Sequence, residues 1–183
     1  VTNRGTIYEL GLFLGWEVAI AQAGRGGPAM TLVANEVVDH VHPEVVLFVG
    51  VAVGVHDGIH ARDVVVATKI DLLANQRGSR RSRLTMQPTH RLLQRARFEA
   101  TNGRWYRPPP NLEVREPMVF FGRILTTTNL IVNRDQIQTA DPDVFAIDWD
   151  SFSVLSTLQS SKTELLVIRG IGARSDAPGD TQV

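Results

Sequence analysis

Cysteine is absent from the 183 residues, so no disulfide framework, thiolate metal site or cysteine nucleophile can be built from this chain. No apolar run approaches the roughly 18 residues that a membrane helix needs. The N-terminus carries no basic segment followed by an apolar stretch, the mark of a secretory signal. A surplus of charge is missing too: 19 Lys and Arg balance 19 Asp and Glu, which argues against a protein whose main task is to coat nucleic acid. These absences fit a cytoplasmic protein with neither membrane nor nucleic acid as partner. The chain begins at Val1 rather than Met, which reads as a fragment or a processed form. What is present is 43% hydrophobic residues, enough at this length for one domain, residues 1–183, with a sizeable core.

Hydrophobic patterning alternates strand with helix. Residues 6–14 (TIYELGLFL) and 16–24 (WEVAIAQAG) read as strands joined by a tight turn. Residues 24–43 read as a loop and a helix, with Pro28 in the first turn, Met30, Val33, Val37, Val38 and Val41 at helical spacing, and Pro43 just past the end. The continuous apolar run 44–54 (EVVLFVGVAVG) has strand length and predicts a strand buried on both faces. Residues 63–70 form another strand, 90–102 a helix, and 118–132 a return to strand character. Residues 144–161 read as a strand end running into a helix, and 163–172 as a last strand. Strand–helix–strand order gives an α/β domain: three layers, with a mixed central sheet flanked by helices.

Several polar features have ordinary readings. His40 and His42 sit at a helix end, where a histidine suits the dipole, and His56 and His60 share a loop. Neither pair has a third ligand at convincing spacing, so no metal is expected. The basic run 75–83 (NQRGSRRSR) reads as a solvated loop, and 107–111 (RPPPN) excludes helix and central strand. Residues 24–28 (GRGGP) precede a helix but lack the Lys-Ser/Thr of a phosphate-binding P-loop. Asp148 and Asp150 flank Trp149 just before a helix, where carboxylates favour the helix N-terminus without any further role.

Four segments in one order carry a resemblance: VVLFVGVAVGVHDGIHARDVVVATKI, MVFFGRILTTTNLIV, FAIDWDSFSVL and LLVIRGIGARSD. Together they resemble the purine nucleoside phosphorylase / methylthioadenosine–adenosylhomocysteine nucleosidase superfamily. Its patterns are a Gly-x-Ala-Gly-Gly turn followed by Gly-Asp-Val-Val-Val-Ala-Thr, a Ser-Gly-Asp/Glu segment, a Glu-Met-Glu-Gly segment and Arg-Gly-Ile-Ser-Asp. The spacing most resembles bacterial nucleosidase-like domains within larger signalling or defence proteins. The resemblance covers residues 5–176 and implies a phosphorylase/hydrolase-like fold with the site at strand ends. It also implies cleavage of a purine–ribose N-glycosidic bond without a cofactor. In that chemistry an acid protonates the departing purine, a poor leaving group as an anion, and a carboxylate holds the ribose hydroxyls through charge-assisted hydrogen bonds. Homo-oligomers, or fusion to other signalling domains, are further implications.

Carried over residue by residue, the resemblance assigns Ala52 and Gly54 to the substrate-binding turn, with Val53 replacing a glycine. The Ser-Gly-Glu segment becomes Thr126-Thr127-Thr128, and Leu130 and Ile131 take the base-contacting positions. Trp149 and Asp150 fall where the ribose is held, Asp150 one methylene shorter than the family's glutamate. Aligned without a gap, the general-acid position is Ala173, which leaves Asp176 as the candidate catalytic acid. Phosphorylases use a basic and a hydroxyl residue where this chain has Phe48 and Val51, so water rather than phosphate is the expected nucleophile. The resemblance also places a first strand before Val1 and a last helix after Val183. Two readings stand beside each other: an N-glycosidase acting on a purine nucleoside or nucleotide, and a degenerate module that binds a nucleoside or mediates assembly. A third, a remnant that no longer folds stably, follows from an apolar sheet edge left uncovered.

Overall fold

The computed structural model describes residues 6–24, 27–73, 85–102, 105–107, 115–127, 141–159 and 161–174. The chain opens with a hairpin of β1 (Tyr8–Phe13) and β2 (Trp16–Ala21), paired antiparallel from Tyr8↔Ala21 to Phe13↔Trp16. The two turn residues both have positive φ, 51° at Leu14 and 85° at Gly15, as the tight two-residue hairpin turn requires. Helix α1 (Gly27–Val41) follows, stops at His42 in the left-handed region (φ 48°), and is succeeded by Pro43.

The remaining strands are β3 (Val45–Gly54), β4 (Val64–Leu73), β5 (Thr85–Met86), β6 (Val119–Thr127), β7 (Val144–Asp148) and β8 (Glu164–Arg174). Helix α2 (His90–Thr101) falls between β5 and β6, and α3 (Ser151–Leu158) between β7 and β8. The six strands form one mixed sheet in the order β5-β4-β6-β7-β3-β8, and β8 also pairs with β4. The sheet therefore curls until β4, β6, β7, β3 and β8 make a closed ring. Strands β4, β6 and β7 are mutually parallel, β3 and β8 are parallel to each other, and the two groups run in opposite senses.

Paired residues share a face of a sheet, which locates the helices. Arg169 is paired with Gly50 and Val65, and its guanidinium reaches Ser151, so α3 lies on that face. Val66 pairs with Phe121 and Ile168, and Arg97 of α2 lies 4.5 Å over the Phe121 ring, so α2 covers the opposite face. The core joins Ala34 of α1, Val154, Leu155 and Leu158 of α3, and Ala52, Val65, Val167 and Ile171 of the sheet.

One expectation fails here. Strand β3 is not buried on both faces: Leu47, Val49 and Val51 are 59%, 65% and 63% exposed. They share the α2 face, but α2 rests on β4 and β8 and does not reach over β3. Among the described residues, no helix is long and apolar enough to cross a membrane.

Candidate functional site

Strand β7 ends at Asp148 and α3 begins at Ser151, so Trp149 and Asp150 form a two-residue link between them. Asp148 is 1% exposed and Arg169 is 2% exposed. Arg169 Nε donates to Asp148 Oδ2 at 2.7 Å, and Thr126 Oγ1 donates to Asp148 Oδ1 at 2.7 Å. The Ser151 amide donates to Asp148 Oδ1 at 3.4 Å, and the Ser151 hydroxyl donates to Oδ2. Arg169 Nη2 in turn donates to Ser151 Oγ at 2.9 Å. One carboxylate thus gathers donors from β6, β8 and α3. A charge this deep persists only when paired and hydrogen-bonded, and both conditions are met.

The local chain explains the arrangement. Thr126 and Asp148 are register partners on the neighbouring parallel strands β6 and β7. Arg169 lies beside Gly50, where a Cβ would fall 2.2 Å from Nη1. Glycine at 50 is what lets the guanidinium cross β3 and lie 4.0 Å over the Phe48 ring. The first amides of α3 are satisfied from the sheet: Ser151 N by Asp148, and Phe152 N by Thr126 Oγ1 at 3.2 Å. Asp150 stands at the N-cap position and accepts from Ser153 N at 3.1 Å and Val154 N at 3.3 Å through its backbone carbonyl. Its carboxylate makes no side-chain capping bond. Of the two acids, Asp148 is the one whose side chain reaches a first amide of α3, Ser151 N, from the strand side.

Of the residues singled out from sequence, the half-buried Trp149 and Asp150 lie on this link. The Trp149 indole nitrogen is buried and has no hydrogen-bond partner among the described residues. Ala52 is 1% exposed, belongs to the core and pairs with Ile171. A Cβ on Gly54 would fall 2.9 Å from Ile59 Cγ2 and 3.2 Å from Ile171 Cγ2, so glycine is needed there for packing. Val53 pairs with Ile147 of β7 and with Ala173 of β8. The register slips between Ala52 and Val53, so that Gly172 is the extra residue of a β-bulge. Leu130, Ile131 and Asp176 lie outside the described residues, as does the basic run at 75–83.

The structure thus brings together the ends of the four segments that carry the resemblance: residues 50–54, 126–127, 146–150 and 169–173. It also qualifies two of their members. Phe48 is on the site face but is occupied with Arg169, whereas Val51 points to the opposite, exposed face. Among the described residues, no group of three or more His, Asp and Glu could hold a metal ion.

The buried polar cluster that sequence reasoning passed over is Arg169 and Ser151, with Asp148 as their partner. A signal was available. Arg169 lies inside the apolar run LLVIRGIG and Asp148 at the end of VFAID, and opposite charges inside two buried strands have few other ways to be satisfied.

Comparison with known proteins bears on this geometry. The family model described as the phosphorylase superfamily matches residues 1–132, which stops short of β7, α3 and β8. Solved structures cover those elements as well. A 5′-methylthioadenosine/S-adenosylhomocysteine nucleosidase from Neisseria meningitidis, in complex with methylthio-immucillin-A, superposes with a TM-score of 0.80 at 16% identity, over 97% of this chain and 78% of that one. The enzyme of the same name from Colwellia psychrerythraea, in complex with adenine, gives 0.79 at 18% identity, over 97% and 75%. A futalosine hydrolase mutant from Helicobacter pylori gives 0.76 at 16% identity, over 94% and 77%. At such identities the likeness is one of fold.

Proposed function

We propose a function from one premise: the chain belongs to the phosphorylase superfamily. On that premise, residues 1–183 form a single domain that takes a purine nucleoside or nucleotide and cleaves its N-glycosidic bond with water. The observation that carries the reading is the convergence of β3, β6, β7 and β8 on the Trp149–Asp150 link, in a fold whose solved neighbours hold adenine and a nucleoside analogue. Asp150 accepts hydrogen bonds from adjacent sugar hydroxyls, a charge-assisted pairing that fixes the ribose. Trp149 lies against the sugar, and its buried indole N–H offers a donor to an oxygen of the ligand.

The bond between C1′ and the base nitrogen breaks with its electron pair leaving on the base. A proton from Asp176 meets the base as it departs, and water adds to the cationic C1′ and gives up a proton. Phe48, turned to Arg169, offers no phosphate ligand, and Val51 faces away, which favours water over phosphate. A second reading has its own support. Ala173, where the resemblance puts the acid, carries no proton to give, and Val53 puts a branched side chain at the end of β3 where the resemblance has a glycine. A module that binds a nucleoside without cleaving it would have these features.

The test is base release, followed by chromatography, from a panel of purine nucleosides and nucleotides with and without phosphate. Release that needs no phosphate and disappears in Asp176→Asn is the expected result. Folded protein that binds a nucleoside and releases nothing would establish the binding module. Asp150→Ala should weaken nucleoside binding by about 1.5–3 kcal/mol, and unchanged affinity would remove Asp150 from the site.

A further inference from the structure

We infer that the buried Asp148–Arg169 pair, with Thr126 and Ser151, is a positioning device that sets the direction of Asp150 and Trp149 and touches no ligand itself. The inference rests on the reading of Asp150 as the sugar-holding carboxylate.

The geometry points this way in three steps. First, the link is short and clamped at both ends. Asp148 Oδ1 accepts from the amide of Ser151, three residues on, closing a side-chain turn around Trp149 and Asp150. Second, the clamp is tied to three elements at once. Thr126 Oγ1 donates to Asp148 and accepts from Phe152 N, so β6 holds both the strand end and the second residue of α3. Arg169 joins β8 to Asp148 and Ser151 together. Third, a buried ion pair is a poor source of stability compared with apolar packing of the same volume. Here a glycine at 50 is needed merely to admit it. Such a pair is accounted for by the geometry it specifies, and the two residues enclosed between its anchor points at Asp148 and Ser151, Trp149 and Asp150, are half open.

The test uses calorimetric titration with two probes, adenosine and adenine, and with Thr126→Val, which removes the bridging hydroxyl and leaves both charges paired. Thr126→Val should lower affinity for adenosine roughly tenfold and leave that for adenine unchanged. In an Asp150→Ala background it should cost clearly less than in wild type, because one of the two residues being aimed is gone. Ser151→Ala should behave alike. Asp148→Asn should do the same more strongly, and if it fails to fold the two milder variants carry the test alone. Equal losses for adenosine and adenine in folded Thr126→Val would overturn the inference, since a general disturbance does not distinguish sugar from base. Additive losses in the double variant would overturn it too. Wild-type protein that binds neither probe would instead bring down the functional reading, and the inference with it.

Discussion

Replacing Gly50 by alanine puts a methyl group into space that the Arg169 guanidinium occupies. The new Cβ would stand 2.2 Å from Nη1, 3.2 Å from Cζ and 3.8 Å from Nε. Carbon–heavy-atom contacts settle near 3.5–4.0 Å, so the guanidinium has to withdraw by roughly 1 Å or more. An exposed arginine would swing away at little cost. This one is 2% exposed, lies 4.0 Å over Phe48 and is bonded to Asp148 and Ser151. Withdrawal stretches the 2.7 Å bond from Nε to Asp148. Losing a hydrogen bond to a charged group costs about 1.5–3 kcal/mol, and breaking a buried pair outright about 3–5 kcal/mol. Gly50→Ala should therefore destabilise the fold by ~3 kcal/mol, a drop of about 6–12 °C in melting temperature for a domain of this size. Urea titration should show the midpoint falling with an unchanged slope. Gly11→Ala, with nothing within 4 Å of its Cβ, is the control, and it should stay within about 0.5 kcal/mol of wild type. Adding Arg169→Met to Gly50→Ala should cost less than the two separately, because both attack one contact. A Gly50→Ala protein as stable as the Gly11→Ala control would refute the claim that the pair is anchored.

The other predictions concern separate parts of the molecule. Leu14 is 85% exposed at φ 51° in the hairpin turn, so Leu14→Asn should stabilise the hairpin by about 0.5–1 kcal/mol, seen as slower amide exchange across β1 and β2; faster exchange would count against the turn geometry. The Tyr8 hydroxyl is buried with no hydrogen-bond partner among the described residues, so at neutral pH Tyr8→Phe should match or slightly exceed wild-type stability. Burial first, and the Glu36 carboxylate second, raise the Tyr8 pKa above 10.0. The unfolded phenol ionises before the folded one, so wild type should lose ground to Tyr8→Phe as pH climbs past 10; parallel curves would refute the shift. Ala173→Asp should confer phosphate-independent base release on an Asp176→Asn protein if the aligned position is where the acid acts, and no gain would leave the site deficient at more than one place.

How much of this was legible depends on the range of the interaction. The hairpin, α1 with Pro28 and Pro43 at its ends, and the strand before α3 follow from patterns within a dozen residues, and the structure has them. The exposure of Leu47, Val49 and Val51 was not legible, because a continuous apolar run says that a strand is apolar on both sides, not that a helix is long enough to cover both. Closure of the sheet was not legible either. It depends on β4 meeting β8, with Val65 opposite Arg169, across about a hundred residues of chain. The two-residue β5 carries too little pattern to be read. At the candidate site, Trp149 and Asp150 were singled out through a resemblance. Their support was missed because Asp148 and Arg169 are 21 residues apart and meet only once β7, β3 and β8 are in register.

Asp148 bears on the chemistry in one more way. With Ala173 at the position where the acid is expected, two carboxylates at the Trp149 link, Asp148 and Asp150, are candidates to take over the protonation of a leaving base. Asp148 is unsuited to it. Its two oxygens already accept from Thr126, from the Ser151 amide and hydroxyl, and from Arg169. A proton placed on either oxygen would displace one of those donors and leave the Arg169 guanidinium buried beside a neutral acid, the costly half of a broken pair. Asp150, as the proposed sugar-holding group, has to stay charged, and one carboxylate cannot both hold hydroxyls as an anion and arrive protonated at the base. With both set aside, the proposed function keeps Asp176 as the proton donor. Base release in Asp176→Asn at the wild-type rate would contradict this chain of exclusions at its last step, and would return attention to Asp150 as the acid.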